Sequence, residues 1–240
     1  MPFVPLLRAP LIIVVITIIM CIPNAATRHM NGAAIIGRCA HFSIQAGTAI
    51  TFDGVETNVA CGSVGVAPGT SITGISVLGT NYTKEANTVF AINCAADELI
   101  AYGYLKGVTC KNILANSDLS GVTLFPGVYF TGSGFLTLKA TTLYLDARGN
   151  PNAIFIFQTA TTLITSVNTN IVLLNGTRSK NIYWQVGSSA TLGANSSFMG
   201  QIFAHMSITV GVTASVVGRL YAQAAVSFAG ANMIKLPGHC

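Results

Sequence analysis

The sequence predicts a mainly β protein: a three-sided parallel β-solenoid with one long α-helix packed alongside. An internal repeat is the first reason, because residues 200–205 (GQIFAH) recur 18 positions later as residues 218–223 (GRLYAQ). A period near 18 leaves room for three strands of about five residues in each turn of a solenoid. A β-sandwich of hairpins is the alternative, but the turn pairs that it needs are scarce outside residues 53–54 (Asp-Gly) and 175–176 (Asn-Gly).

A single stretch of helical periodicity is the second reason. Between residues 84 and 106, apolar and small residues recur at three- and four-residue steps, namely Val89, Ile92, Ala96, Leu99, Ile100 and Gly103. Thr83 is the predicted N-cap of this helix and Gly107 its predicted end. We expect the apolar stripe to be buried against the solenoid.

The first strand of each coil indicates where the helix packs. Residues 182–184 (IYW), 202–204 (IFA) and 220–222 (LYA) are apolar on both sides of the strand. A strand with one face in water alternates, whereas a strand covered on both faces is a continuous apolar run. The sequence therefore predicts that the helix covers this face and that Trp184 lies beneath it.

The second strand of each coil alternates and predicts an open face. In residues 189–192 (SATL) and 207–210 (SITV), every second side chain can point into the core, which leaves hydroxyl groups outside in two stacked rows. The candidate surface residues are Thr137, Thr162, Ser189, Thr191, Ser207, Thr209 and Ser227. Ile164 and Ala225 interrupt the rows. The third strand also carries small outward groups, but a glycan at Asn195 would obstruct a flat contact there.

The N-terminus has the order of a secretory signal peptide. Arg8 precedes an apolar run over residues 11–22, and the small residues Ala25 and Ala26 follow it. The run is shorter than the about 20 residues that a membrane span needs. We predict a signal peptide over residues 1–26 and one secreted domain over residues 33–240, without membrane contact after cleavage. A retained signal anchor is the alternative.

The cysteines and sequons fit an exported protein. Removal of Cys21 with the signal leaves an odd number of cysteines, so that one thiol is free or forms an intermolecular bond. We predict a disulfide between Cys94 and Cys110. Three Asn-X-Ser/Thr sequons, at Asn81, Asn175 and Asn195, predict glycosylation where the host performs that chemistry.

Composition excludes several classes of function. Only 8% of residues are charged, and the net charge of +5 comes from scattered Lys and Arg without a basic cluster, which argues against nucleic-acid binding. The few carboxylates do not form the pairs that catalysis needs. The four His are dispersed, and no Cys or His spacing is typical of a zinc site. We therefore expect no enzyme, no metal and no cofactor.

The predicted open face has a specific physical use. Coils of a solenoid stack about 4.8 Å apart, and alternate residues along a strand lie roughly 6.6 Å apart, so that the outward groups form a rigid grid. These spacings are close to repeats of the ice lattice. Thr suits adsorption to ice because its hydroxyl anchors water, its methyl group disfavours ordinary hydration, and β-branching limits its rotamers. A rigid surface also keeps the ordering cost of adsorption small.

Several passages of the sequence, in the same order along the chain, carry a resemblance to a known family. They are residues 64–69 (VGVAPG), 121–129 (GVTLFPGVY), 153–158 (AIFIFQ), 180–186 (KNIYWQV), 190–193 (ATLG) and 218–228 (GRLYAQAAVSF). Together they extend over nearly all of the chain after residue 33. With these motifs the chain resembles the microbial ice-binding (antifreeze) protein family.

The resemblance implies a right-handed, discontinuous β-solenoid with one flanking helix and with N-terminal strands that complete the coils. It implies that one flat face adsorbs to the surface of an ice crystal, depresses the freezing point and slows recrystallisation. We expect the protein to act as a monomer. The family has no strict consensus for the ice-binding residues, so the choice of face rests on the repeat.

A secreted polysaccharide-binding or cell-surface adhesion module on the same fold is the competing function. Aromatic side chains on the open face would favour glycan binding, and the last three coils have none there. A structural role at the cell surface would predict a retained N-terminal anchor.

Overall fold

In the described part of the chain, the fold is a single parallel β-sheet of 20 strands wound into a three-sided solenoid, with a long α-helix alongside. The computed structural model describes residues 35–109, 111–139 and 141–238. The predicted signal peptide and two cysteines, Cys110 and Cys240, lie outside the described residues. Short 3-10 helices at Gly37–His41 and Ser179–Asn181 precede strands.

The first face of the solenoid lies beneath the helix. Its strands are, in stacking order, β6 (Asn112–Leu114), β8 (Gly127–Thr131), β11 (Phe155–Thr159), β14 (Ile182–Val186), the C-terminal halves of β16 (Ser197–Ala204) and β18 (Ser215–Ala222), β1 (Phe42–Ala46), β3 (Ser63–Val66) and β5 (Lys84–Ala86). β11, β14 and β1 are buried at every position. The prediction that the face with continuous apolar runs is covered is confirmed.

The second face is open. Its strands are β9 (Leu136–Leu138), β12 (Leu163–Thr165), β15 (Ala190–Leu192), β17 (Ile208–Val210), β19 (Ala225–Phe228) and the N-terminal halves of β2 (Ala49–Val59) and β4 (Ser71–Leu78). β15 and β17 alternate between buried and exposed residues, as the sequence predicts.

The third face completes each coil. Its strands are β7 (Thr123–Leu124), β10 (Thr142–Asp146), β13 (Asn170–Leu174), the N-terminal halves of β16 and β18, β20 (Met233–Lys235) and the C-terminal parts of β2 and β4.

The N-terminal strands complete the stack at the end where the C-terminal coils stop. Ile44 in β1 pairs with Leu220 in β18, and Thr51 in β2 pairs with Ser227 in β19. β3, β4 and β5 then add further strands beyond β1 and β2. The order of coils in space therefore differs from their order in the chain, and the expectation that N-terminal strands complete the coils is confirmed.

The interior of the solenoid is filled by apolar side chains from all three faces. Trp184 belongs to this interior, where its ring stacks on that of Phe157 with 3.9 Å between centroids. We expected Trp184 beneath the helix, and that was wrong. Trp184 pairs in register with Ile202, an inward position, and strand alternation turns its neighbour Tyr183 toward the helix instead.

The helix, α1, comprises Val89–Gly107 and is shorter at its start than the predicted 84–106. Thr88, not Thr83, is the N-cap, because its side-chain oxygen accepts a hydrogen bond from the backbone N–H of Ala91 at 3.3 Å. The preceding residues form β5, which pairs with β3. The periodic residues begin only at Val89, so the early start followed from the choice of Thr83 as the N-cap.

The side of α1 that packs against the solenoid is not the side that the sequence predicts. Its buried residues are Ala91, Cys94, Glu98, Ala101, Tyr102 and Leu105. They pack on outward side chains of the first face, among them Tyr183, Phe203 and Tyr221. The stripe that we expected to be buried, which includes Ile92, Leu99 and Ile100, is exposed.

A disulfide joins the start of the described chain to α1. Cys39 and Cys94 form this bond across a separation of 55 residues. The predicted pair Cys94–Cys110 is therefore wrong, because Cys94 faces the segment before β1 at the buried side of the helix. Arg38 reinforces the same junction through an ion pair with Asp97 at 2.7 Å.

None of the helices in the described part of the chain has the length and hydrophobicity that a membrane span needs.

Candidate functional site

The outward side chains of the open face stack in register from coil to coil. In one row Thr191 pairs with Thr209, Thr209 with Ser227, Ser227 with Thr51, and Thr51 with Thr73. We call these five residues the hydroxyl row. Each carries a hydroxyl group and is partly or fully exposed. The hydroxyl row therefore crosses five successive coils without interruption.

A second row lies two residues earlier in each strand. It consists of Thr162, Ser189, Ser207, Ala225, Ala49 and Ser71. The hydroxyl oxygen of Ser189 accepts a hydrogen bond from the backbone N–H of Ser207 at 3.3 Å, which ties neighbouring coils together. Neither row contains a charged or aromatic side chain. The two rows form a flat surface of small groups.

The side chains beneath the two rows fix the spacing of this surface. Leu192, Val210 and Phe228 alternate with the outward residues and are buried in the solenoid. The rings of Phe52 and Phe228 stack with 4.9 Å between centroids, directly below the junction of the N-terminal and C-terminal coils. Because close packing leaves the strands little freedom, the outward groups are held on a rigid lattice.

Comparison with known proteins assigns the chain that carries this surface to a known family. The family model described as ice-binding-like matches residues 44–234, which include every strand of the open face. The chain belongs to the ice-binding-like family.

Relatives and solved structures agree with this family assignment. An ice-binding protein of Nostoc sp. (strain HG1) is 39% identical over 178 residues, 74% of this chain but only 64% of the Nostoc protein. A crystal structure of an ice-binding protein from an Antarctic biological consortium superposes with a TM-score of 0.78 and 33% identity, over 84% of this chain and 90% of that one. The ice-binding protein of Antarctomyces psychrotrophicus superposes with a TM-score of 0.76 and 30% identity, over 84% and 97%.

Most residues predicted from the repeat lie on the open face of this ice-binding-like fold. Thr162, Ser189, Thr191, Ser207, Thr209 and Ser227 occupy its two rows and are partly or fully exposed. Thr137 is the exception, because its side chain is only 7% exposed. Asp118 pairs beside Thr137, and the hydroxyl of Thr137 donates a hydrogen bond to the carbonyl oxygen of Ser117 at 3.4 Å. The expectation that Thr137 is a surface residue is wrong.

Sequence reasoning missed the part of the open face that the N-terminal strands supply. Thr51, Thr73 and Ser71 continue the two rows beyond Ser227. The signal was present, because residues 49–52 (AITF) repeat the pattern of residues 225–228 (AVSF). It was overlooked because these strands precede the helix and lie far in sequence from the regular repeats.

Ile164 lies beside Thr191 and ends the hydroxyl row at the end opposite Thr73. It pairs with Thr191 on one flank and with Thr137 on the other, and its side chain is 44% exposed. The predicted interruption of the rows at Ile164 is confirmed. In this ice-binding-like chain the interruption comes at the edge of the row and leaves the five hydroxyl-bearing coils together.

The third face is less uniform than the open face. Tyr144 pairs with Val172, and Met199 pairs with Val217, so that bulky side chains of different shape stand outward. Lys235 adds a charged group beside Val217. Asn170, Ser197 and Ser215 form a short row of small polar side chains on this face, but their bulky and charged neighbours leave it less regular than the open face.

The sequon at Asn195 lies at the corner between the open face and the third face. Asn195 is exposed, with a left-handed backbone (φ 55°), and its side-chain oxygen accepts a hydrogen bond from the hydroxyl of Thr213 in the next coil. Asn81 and Asn175 are also exposed residues with positive φ. A glycan at Asn195 would border the open face, and glycosylation at the three sequons stays a prediction.

Several ionisable side chains in the described part of the chain are held by local hydrogen bonds. Hydrogen bonds from Arg38 lower the pKa of Asp97, and hydrogen bonds from the hydroxyls of Thr83 and Thr88 lower that of Glu85. Among the residues that the structure describes, no three His, Cys, Asp or Glu side chains come together as a metal site would require.

Proposed function

We propose that this chain binds ice through the open face, with the hydroxyl row at its centre. The observation that carries the proposal is the unbroken register of Thr191, Thr209, Ser227, Thr51 and Thr73 over five coils of an ice-binding-like fold. The names of the related proteins support it, since those proteins are described as ice-binding.

The chemistry of the two rows suits an ordered water surface. Coils repeat about every 4.8 Å and alternate residues roughly every 6.6 Å, so that hydroxyl and methyl groups recur on a two-dimensional grid. A hydroxyl can accept and donate a hydrogen bond, while a methyl group leaves neighbouring water without a partner on the protein. Because the grid is rigid before contact, little conformational entropy is lost on adsorption.

Adsorption at this face would stop the growth of ice between bound molecules. We propose that the protein thereby depresses the freezing point and inhibits recrystallisation, by surface binding and without catalysis. We also propose that it acts outside the cell after removal of residues 1–26. The disulfide Cys39–Cys94 supports export, since such bonds persist in oxidising compartments.

Bulky substitutions within the hydroxyl row test the proposal. Thr191→Tyr and Thr209→Tyr should fold normally, because both side chains point into solvent, and should remove most of the thermal hysteresis, ice shaping and recrystallisation inhibition. Ser215→Tyr on the third face is the matched control and should keep them.

Two results would contradict the proposal. If the purified wild-type protein neither shapes ice nor slows recrystallisation at micromolar concentration, the function is wrong. If Thr209→Tyr stays active while Ser215→Tyr is inactive, ice binds to the third face instead.

A further inference from the structure

An apolar stripe runs along the side of α1 that faces away from the solenoid. Successive helical residues are rotated by about 100°, so Val89, Ile92, Leu99, Ile100 and Gly103 all lie within about 60° of Ala96. Their side chains are well exposed, with Ile100 at 71% and Val89 at 70%. The stripe covers on the order of 500 Å², which is within the range of the largest apolar patches on soluble monomers, and such patches are often functional.

Apart from Leu99, whose counterpart is the polar Asn93, the stripe is symmetric about Ala96. Ile92 and Ile100 lie four residues to either side of it, and Val89 and Gly103 lie seven residues to either side. Two such helices placed antiparallel around a two-fold axis at Ala96 therefore bring apolar positions of the two copies together. Ile92 meets Ile100 of the other copy, and Val89 meets Gly103, above which no other group of the described chain lies within 4 Å.

We propose that α1 is the contact surface between two copies of this chain, packed antiparallel about a two-fold axis at Ala96. Such an isologous contact is the commonest form of self-association, and it requires a surface that is complementary to itself. A lipid surface would accept any exposed apolar stripe and would not need Val89 of one copy to face the free space above Gly103 of the other. The proposal replaces the monomer that we expected from the sequence.

One pair of charges around α1 agrees with the antiparallel arrangement. Lys106 in the last turn of one copy comes close to the N-terminal end of the other helix, where Glu85 lies, although the neighbouring Lys84 adds a like charge there. The pKa of Glu85 is lowered by hydrogen bonds from Thr83 and Thr88, so this carboxylate stays ionised. Antiparallel helices also place the positive end of each helix dipole beside the negative end of the other.

The area of the stripe sets the expected strength. A stable interface buries about 800 Å² on each partner, and the stripe alone offers less than that. We therefore expect a weak dimer that dissociates in the micromolar range. Since the open face is a different side of the solenoid, both copies in the dimer keep it free.

Sedimentation velocity of the protein purified from a secreting host, at about 1 to 500 µM, tests the proposal. The average mass should rise from one copy toward two over this range. Ala96→Glu places two carboxylates on the symmetry axis and should weaken dimerisation at least tenfold. Val167→Glu is the matched control, because it adds the same charge at another exposed valine, and it should leave the dimer intact.

A charge exchange tests the antiparallel register itself. Ile92→Lys and Ile100→Glu should each weaken the dimer, whereas the double variant should restore it, because each lysine then faces a glutamate of the other copy. Residues 92 and 100 lie two turns apart within one helix, which is too far for a pair inside one copy. Circular dichroism verifies that every variant is folded.

Three outcomes would overturn the proposal. The protein could remain a single copy up to 500 µM, or the double variant could fail to regain the dimer that the single variants lose. In the third outcome, the protein does not dimerise but sediments with vesicles of phosphatidylcholine and phosphatidylglycerol, and the substitution Ala96→Glu abolishes this binding to vesicles. The stripe would then be a lipid-binding surface.

Discussion

Ser227 and Thr51 lie side by side on the open face, although one belongs to the last coils of the chain and the other to its first described strands. Parallel pairing of β19 with β2 creates this contact, and the stacked rings of Phe228 and Phe52 support it from the interior. The contact joins two stretches of hydroxyl-bearing residues into one row. The N-terminal strands therefore supply part of the proposed ice-binding surface as well as completing the coils.

Substitution of Thr51 tests this junction. Thr51→Tyr should reduce thermal hysteresis as strongly as Thr209→Tyr, because both residues lie inside the hydroxyl row and a bulky ring would hold the face away from ice. Thr73→Tyr, at the end of the row, should reduce thermal hysteresis less. Thermal hysteresis measured at equal concentrations compares the three variants. Full activity of Thr51→Tyr would mean that the N-terminal strands do not contribute.

Substitution of Ile164 should lengthen the hydroxyl row. Ile164 stands beside Thr191 and is 44% exposed, so Ile164→Thr adds a hydroxyl in register without disturbing the core. We expect a modest increase in thermal hysteresis. Ile164→Val is the matched control, since Val has nearly the shape of Thr but lacks the hydroxyl group. Equal gains from both variants would attribute the effect to the loss of bulk alone.

The repeat allowed the open face to be predicted because alternation along a strand determines which side chains are buried. Ser207 and Thr209 could be assigned to the surface from Ile208 and Val210 alone. The same reasoning failed at Thr137, since the segment that contains Asp118 covers it from the neighbouring coil without showing the alternating pattern of the repeat. The pattern predicted the direction of the Thr137 side chain, but it could not predict this covering segment.

The orientation of α1 could not be predicted from periodicity. The helix has an apolar stripe around Ala96 and a second set of mostly apolar residues, Cys94, Ala101 and Leu105, on the opposite side. A helix that is apolar on both sides gives no preference from its pattern. The disulfide with Cys39 and the packing on Tyr221 hold the second side against the solenoid, and both are tertiary contacts.

Loss of the Cys39–Cys94 disulfide should loosen the attachment of α1. Replacing both cysteines by Ala opens a covalent loop of 55 residues and should cost about 2–4 kcal/mol of unfolding free energy, or roughly 5–15 °C in Tm. Thermal unfolding of the oxidised wild type and the double variant measures this difference. Peptide mapping of the unreduced protein provides an independent test, because a peptide joining Cys94 to Cys110 would contradict the assignment.

Glu98 should make the stability of the protein depend on pH. Its side chain is buried beneath α1, its Oε1 has no hydrogen-bond partner among the described residues, and burial raises its pKa to about 8. In the unfolded chain the pKa returns to its ordinary value of 4.5. Between these values the unfolded state has released the proton while the folded state keeps it. Stability therefore falls as pH rises through this window, and the loss is complete above about pH 8.

Glu98→Gln removes the titrating group and keeps its shape, so the difference in stability between the two proteins should grow as pH rises from about 4.5 and level off above about pH 8. Each unit of pKa shift corresponds to about 1.4 kcal/mol, and we expect the variant to be more stable by a few kcal/mol near pH 9. Near pH 5 the wild-type carboxyl is protonated in the folded state, and the two Tm values should converge. Thermal unfolding from pH 5 to pH 9 checks this. A constant difference across the range would mean that packing of the amide, and not ionisation of Glu98, separates the two proteins.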